Sequence, residues 1–221
     1  MKIIPYFILI SYSSLSYADQ VNTQLHKNIA AFIPQHWEII SQAQGDLNQD
    51  GQTDTAIIIQ PKNLNNHERK LLIFFKYNNS LQQKIVKPIP DWSYRDEENC
   101  MDDALSGGGV EIKHGILDLS FHDMNTCSNW YGQAWTYRFK WQNSQFKLTG
   151  FEYWFVNKTD GKATRHSGNF LTQKIKTTLY NEFDDTIKPK ISWKKLSPIS
   201  PNTLDKIQLE PSENFLKQLI K

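Results

Sequence analysis

Between Trp135 and Trp141 the chain reads Trp-Thr-Tyr-Arg-Phe-Lys-Trp, with an aromatic at every second position and a polar residue at each one between. Side chains on a strand alternate between two faces, so this run sets an aromatic row on one side of a sheet and a polar row on the other. A helix would scatter the same rings around its circumference. The aromatic row needs a second layer to cover it, and is expected as a sheet core rather than a ligand platform.

Neighbouring segments extend the pattern. Asn143-Ser144 turns the chain, and Phe146 to Val156 returns as an aromatic strand with a bulge expected at Gly150. Val110 to Lys113 and Ile116 to His122 form a hairpin around His114-Gly115. Thr159-Asp160-Gly161 marks another turn, and one or two strands are expected from there to about Tyr180. Upstream, Trp37 to Ile40, the β-branched run Thr55 to Gln60, and Leu71 to Tyr77 read as strands, with a polar turn at Asn63 to Glu68. Val21 to Ile33 has helical spacing and is stopped by Pro34. Pro88 to Ser106 is the least regular stretch. Pro189, Pro198, Pro201 and Pro211 punctuate a tail with little regular structure, and Ser212 is placed to cap a short final helix. No repeat at a solenoid or propeller period is present. The expected fold is mainly β (α+β): an antiparallel sheet domain with a short helix at each end.

The N-terminus addresses the compartment. Met1-Lys2 is a basic start, Ile3 to Leu15 is largely apolar, and Ser16-Tyr17-Ala18 offers small residues where a signal peptidase reads. The apolar stretch falls short of the roughly 20 residues a spanning helix needs. A buried N-terminal helix or an uncleaved anchor is the alternative. The expected organisation is a signal peptide over 1–18, a β-rich domain over 19–188, and a proline-punctuated tail over 189–221 packed on that domain. The location is then the periplasm or the exterior, with no transmembrane segment in the mature chain. A formal charge of +2 argues against an electrostatic nucleic-acid binder, and Lys194-Lys195 reads as a solvated turn. Cys100 and Cys127 are the two cysteines. In an oxidising compartment such a pair is expected as a disulfide. Closing a loop of about 27 residues would add roughly 3–4 kcal/mol on the chain-entropy model. The alternative, a catalytic thiol, needs a base and an electropositive setting that the sequence does not display.

One loop carries legible chemistry: Asp46-Leu47-Asn48-Gln49-Asp50-Gly51-Gln52-Thr53-Asp54. Calcium takes six to eight hard oxygen ligands. Asp46, Asn48 and Asp50 supply side-chain oxygens, Gly51 permits a sharp turn, Gln52 offers a carbonyl, and Asp54 binds directly or through water. The spacing matches the first nine positions of an EF-hand loop but has Ile57 where the twelfth-position Glu belongs, and the flanks read as strands. A strand–calcium loop–strand unit with a structural ion is therefore expected. The bland reading is a metal-free turn, since Asp, Asn and Gly favour turns anyway.

Gly45 to Asp54, followed by an Ile-rich strand, resembles the loop of FG-GAP/VCBS-type calcium-binding repeats. The chain is also similar to a family of uncharacterised exported bacterial proteins that carry a single such loop. The matching pieces are Phe32-Ile33-Pro34, Gly107 to Ile112, Tyr137-Arg138-Phe139, Leu148-Thr149-Gly150-Phe151 and Ser167 to Thr172. The resemblance implies a calcium-binding β protein and carries over no activity.

Catalytic candidates are few. Glu97, Glu98, Asp102 and Asp103, with Trp92 or Trp130 to stack on sugar, offer carboxylates for a glycosidase, although clustering in sequence does not set their spacing. His122-Asp123 and Ser106-Gly107-Gly108-Gly109 lack the G-x-S-x-G context of a nucleophile elbow. The six histidines show no zinc spacing, and His166 is expected exposed in a turn. No residue is assigned a catalytic role. The expected function is a periplasmic or secreted, non-enzymatic binding protein, stabilised by calcium and a disulfide. Its expected partner is another envelope protein, and the sharper version is an immunity-type inhibitor of an envelope-acting toxin. The competing class is a cell-wall carbohydrate or peptide hydrolase using carboxylates in 97–103.

Overall fold

The computed structural model describes residues 29–63, 66–78, 80–90, 103–123, 130–209 and 212–220. The chain divides into units 1–34 and 35–221. In the first, residues 29 and 30 are helical, and the Phe32 N–H donates to the Ile29 carbonyl at 2.9 Å. The signal peptide expected over 1–18 and most of the helix expected over Val21 to Ile33 lie outside the described residues.

The second unit is mainly β, with two antiparallel sheets. β1 (Trp37–Gly45), β2 (Asp54–Pro61), β3 (Arg69–Tyr77) and β4 (Ser80–Ile89) form one of four strands. β5 (Gly109–Lys113), β6 (Ile116–Asp123), β7 (Tyr131–Gln142), β8 (Gln145–Asn157), β9 (Lys162–Asn169), β10 (Lys174–Asn181) and β11 (Lys190–Lys195) form one of seven. In each sheet neighbours in sequence are neighbours in space. A helix (Ser212–Leu219) follows.

Tight turns make these meanders. At the β5–β6 turn His114 and Gly115 have φ of 52° and 73°, and at the β7–β8 turn Asn143 and Ser144 have 51° and 59°. Positive φ at both central residues matches the right-handed twist of the flanking strands. The expected bulge is present: Arg138 pairs with Gly150 and Phe139 with Leu148, leaving Thr149 as the extra residue, its hydroxyl donating to the Arg138 carbonyl at 3.2 Å.

The aromatic row finds its cover. Trp135, Tyr137 and Phe139 are buried and share one core with Ala56 and Ile58 of β2 and Leu71, Ile73 and Phe75 of β3. The Phe75 ring meets Trp141 edge-on at 4.8 Å and Phe146 at 5.9 Å. The final helix adds Phe215, 4.9 Å from Tyr137 and 4.6 Å from Phe151. Tail residues Leu196, Leu204, Ile207 and Leu209 complete the core. Leu148 and Phe146 exchange backbone bonds with Asn202 and Leu204, both at 2.8 Å. β2 is a near-continuous apolar run because Ile57 and Ile59, on its other face, are buried too.

The sheets meet where β1 approaches β5. The Val110 N–H donates to Ser41 Oγ at 3.0 Å. Gly109 sits at φ +108°, and a Cβ there would collide with the Ser41 side chain. An ion pair between a buried arginine and a half-buried carboxylate pins the chain just before this contact. Arg69, 1% exposed, forks onto Asp103: Nη1 donates to Oδ1 at 2.8 Å and Nη2 to Oδ2. Its Nε and Nη2 both donate to Gln60 Oε1 at 3.1 Å. Asp103 Oδ1 also accepts the Leu105 N–H at 3.0 Å.

Three elements differ from expectation. β4 lies where no strand is expected, because a register shift at Lys84 breaks its alternation and Pro88 stands within it. Lys190–Lys195 is a strand rather than irregular tail or a solvated turn. His166 is a half-buried strand residue: its Nδ1 lies 2.9 Å from Thr177 Oγ1 and its ring stacks on Tyr153 at 5.9 Å.

Because the Arg69 guanidinium is nearly inaccessible, removing its counter-charge strands a buried cation. Asp103→Ala is expected to lower the free energy of unfolding in urea by about 3 kcal/mol, whereas the double change Arg69→Met, Asp103→Leu stays within about 1 kcal/mol of the parent.

Candidate functional site

The loop expected to hold calcium joins β1 to β2, and Gly45 pairs with Asp54 at its base. Leu47, 1% exposed, plugs the hydrophobic core and holds the loop down. The polar residues on either side of it then face one another. Asp46 Oδ1 and Asn48 Oδ1 both accept the Asp50 N–H, each at 3.1 Å. Asp46 Oδ2 accepts the Gly51 N–H at 2.9 Å, Asp50 Oδ1 accepts the Gln52 N–H at 2.8 Å, and Asn48 Nδ2 donates to Asp50 Oδ2 at 2.9 Å. Gln49 and Gly51 adopt φ of 63° and 83°, winding the loop tightly enough for these bonds.

Asp54 stands apart from that group. It is fully buried, its Oδ2 accepting the Leu47 N–H at 2.8 Å and the Asn48 N–H at 3.4 Å, and its Oδ1 the Lys76 N–H at 3.0 Å. One carboxylate therefore ties the start of the loop to the end of β3. Burial raises its pKa above the ordinary 3.8, backbone N–H donors counter this, and the nearby Asp50 charge adds to the rise. Of the five residues expected as ligands, the structure brings Asp46, Asn48 and Asp50 together, turns the Gln52 N–H, a hydrogen-bond donor and no ligand, toward Asp50, and sets Asp54 beneath the loop. Two carboxylates and an amide oxygen are a hard donor set suited to calcium. Among the described residues no group of three or more His, Cys, Asp or Glu side chains is arranged to hold a metal.

The loop rests on the β5–β6 turn: a Cβ on Gly115 would come 3.3 Å from the Asp46 carbonyl oxygen and 3.3 Å from Gln49 Nε2. Nearby, Gly107 to Gly109, Gln42, Ser120 and His122 line a shallow hollow of about 540 Å³. Burial holds the His122 imidazole below its ordinary pKa of 6.5. His166 is lowered by burial and by the Lys194 ammonium. His166 Nδ1 meets the Thr177 hydroxyl at 2.9 Å across the β9–β10 ladder, a cross-strand pair.

Of the acidic stretch, Asp103 is committed to Arg69. Glu97, Glu98, Asp102 and Trp92 lie outside the described residues, as do Cys100 and Cys127 and with them the expected disulfide. No helix among the described residues is long and apolar enough to cross a membrane. Apolar surface is concentrated elsewhere. Six of the eleven large hydrophobic side chains exposed on the described surface fall between Leu171 and Trp193: Leu171, Leu179, Phe183, Ile187, Ile191 and Trp193. Sequence reading placed no site here, since β11, exposed throughout, has no burial period to reveal it.

The depressed histidine values set a pH dependence. Below 6.5 the unfolded chain takes up protons that folded His122 and His166 refuse. Their contribution is complete above 6.5 and is lost as pH falls through the lowered folded-state values. Urea unfolding across this window should show that loss in the parent and a flatter profile in His122→Gln, His166→Gln. No family model, curated protein or solved structure matches this chain.

Proposed function

We propose that this chain is an exported, calcium-stabilised binding protein whose partner is another protein of the cell envelope. The observation that carries the binding role is the run of exposed apolar side chains from Leu171 to Trp193. Scattered single hydrophobics are ordinary on a protein surface, and Leu179 faces the other side of the sheet, but within this run Ile191 and Trp193 lie side by side on one face of the edge strand and stay exposed, which supports an interaction site. Export rests on the basic, apolar and small-residue succession of Met1 to Ala18. An immunity-type inhibitor of an envelope-acting toxin is the sharper form of this reading.

The calcium role is supported by the gathering of the Asp46, Asn48 and Asp50 side chains on one tightly wound loop above a buried Asp54, with Asp46 and Asn48 oxygens converging on the Asp50 N–H. When bound, the ion would neutralise carboxylates that otherwise repel, and lock the β1–β2 connection. Asp46, Asn48 and Asp50 would hold it, and Asp54 keeps their backbone in place. The resemblance to FG-GAP/VCBS-type loops belongs to this reading and describes a structural ion.

Incubating the purified protein with envelope extract is expected to yield a stoichiometric complex on size exclusion. Turnover of peptidoglycan that is lost in Glu98→Gln or Asp102→Asn would instead identify a hydrolase. For the ion, calcium at about one hundred times its Kd should raise the melting temperature by roughly 5–10 °C over chelator. Asp50→Ala, on the exposed rim, is expected to abolish that rise at little cost to the calcium-free protein. Asp54→Ala should cost about 2–4 kcal/mol with or without calcium, because it orphans buried backbone donors. Melting curves indifferent to chelator and to Asp50→Ala would make the loop an ordinary turn.

A further inference from the structure

β11 ends the seven-stranded sheet, and all six of its residues are exposed. Its pairing with β10 shows which backbone groups face outward. The Leu196 N–H donates to the Gln173 carbonyl at 2.9 Å, which makes Gln173 and Leu196 a hydrogen-bonded pair. Such pairs alternate along an antiparallel ladder. With Lys174 opposite Lys195, Lys176 opposite Trp193 and Thr178 opposite Ile191, the outward N–H and C=O groups belong to Ile191, Trp193 and Lys195. Among the described residues no strand pairing or backbone loop bond engages that outer edge.

The side chains around it are mainly basic. Between Lys162 and Lys195 the chain carries eight Lys or Arg against three Asp or Glu, whereas the whole protein is only +2. From Thr186 to Lys195 there are four lysines and no acid. Lysine on an edge strand normally guards against pairing with other strands. A guarded edge, however, has no use for Ile191 at 56% and Trp193 at 62% exposure. Trp193 also walls a pocket of about 600 Å³ with Thr172, Gln173, Lys174, Lys194 and Lys195, wide enough for a partner's side chain.

We propose that β11 is a docking edge for an acidic polypeptide segment, which adds to the sheet as its next strand. This rests on the reading of the chain as a protein binder and names the partner's chemistry. Backbone bonds to Ile191, Trp193 and Lys195 give register-independent affinity, and alternate side chains of the incoming strand meet Trp193 and the lysines. The same lysines exclude a second copy of this chain, since two β11 edges would bring like charges together. The open backbone row favours a polypeptide over nucleic acid or an anionic membrane, neither of which presents matching N–H and C=O groups.

The test uses a fluorescent peptide alternating Glu with Val and Thr, read by anisotropy against the purified protein. Binding should weaken with salt and fall about tenfold in Trp193→Ser and in Lys190→Glu, Lys194→Glu, Lys195→Glu, each retaining the parent melting temperature. N-methylation of alternate peptide residues should abolish binding on one edge and spare it on the other. Indifference to N-methylation on both edges overturns strand addition. So does binding of phosphatidylglycerol vesicles or a single-stranded oligonucleotide through β11 without binding of the peptide, or a dimer that buries β11. An envelope complex that survives the β11 substitutions would keep the binding function and remove this edge as its seat. Failure to form any envelope complex, with the peptide still bound, would remove the function and leave the edge chemistry.

Discussion

Burying one face of β7 and β8 organises this protein. Trp135, Tyr137, Phe139, Phe146 and Phe151 are each at most 3% exposed, and burying a side chain of that size is worth about 1.5–3 kcal/mol. A four-stranded sheet cannot cover one of seven strands. Phe75 of β3 meets the β7–β8 turn end through Trp141 and Phe146, while Tyr137 and Phe151 are closed over by Phe215 of the helix. Farther along, Leu196 and Ile175 still share the core, but β11 lies beyond the cover. The outermost strand is therefore exposed because the covering elements run out before it.

Two buried charges set the connections that the apolar core leaves undetermined. Hydrophobic packing is non-directional, and many loop paths would satisfy it. Asp54, at the start of β2, can satisfy its oxygens only if Leu47, Asn48 and Lys76 present their N–H groups to it. Arg69, at the start of β3, needs Gln60 and Asp103, and so fixes where the chain re-enters before β5. Each group is costly to bury and costlier to leave unmatched. Their contribution is to select one arrangement rather than to add net stability.

What could be read from sequence follows from what alternation reports. β7 and β8 were legible because one face is buried and the other wet. The β5–β6 and β7–β8 turns were legible because His114-Gly115 and Asn143-Ser144 stand between such runs. β4 was hidden by the shift at Lys84, which moves its apolar residues out of phase, and β11 by exposure on both faces, which leaves no phase at all. The Asp46–Asp54 loop was legible as a spacing of side-chain oxygens between two strands. That Asp54 would turn beneath the loop was not, because the Lys76 N–H it meets lies 22 residues away in sequence. Asp103 illustrates the same limit: beside Glu97, Glu98 and Asp102 it reads as acidic surface, and only the fold supplies Arg69.

The β1–β2 loop, packed against the β5 end of the seven-stranded sheet, lies far from the proposed docking edge at its other end. The loop rests on the β5–β6 turn, and β5 and β11 are the two terminal strands. Six strand spacings separate them, roughly 29 Å at about 4.8 Å each. At that distance an ion held by Asp46, Asn48 and Asp50 touches nothing that touches a partner at Trp193. A ligand shifts an equilibrium only through states it binds differently, and the one such difference visible here is between folded and unfolded chain. Calcium would then act on partner binding through the folded population alone. Affinity measured well below the melting temperature should be the same with and without the ion, whereas near the melting temperature the two diverge. Under the proposed function, the ion would secure the scaffold at one end and leave the edge chemistry at the other to discriminate among partners.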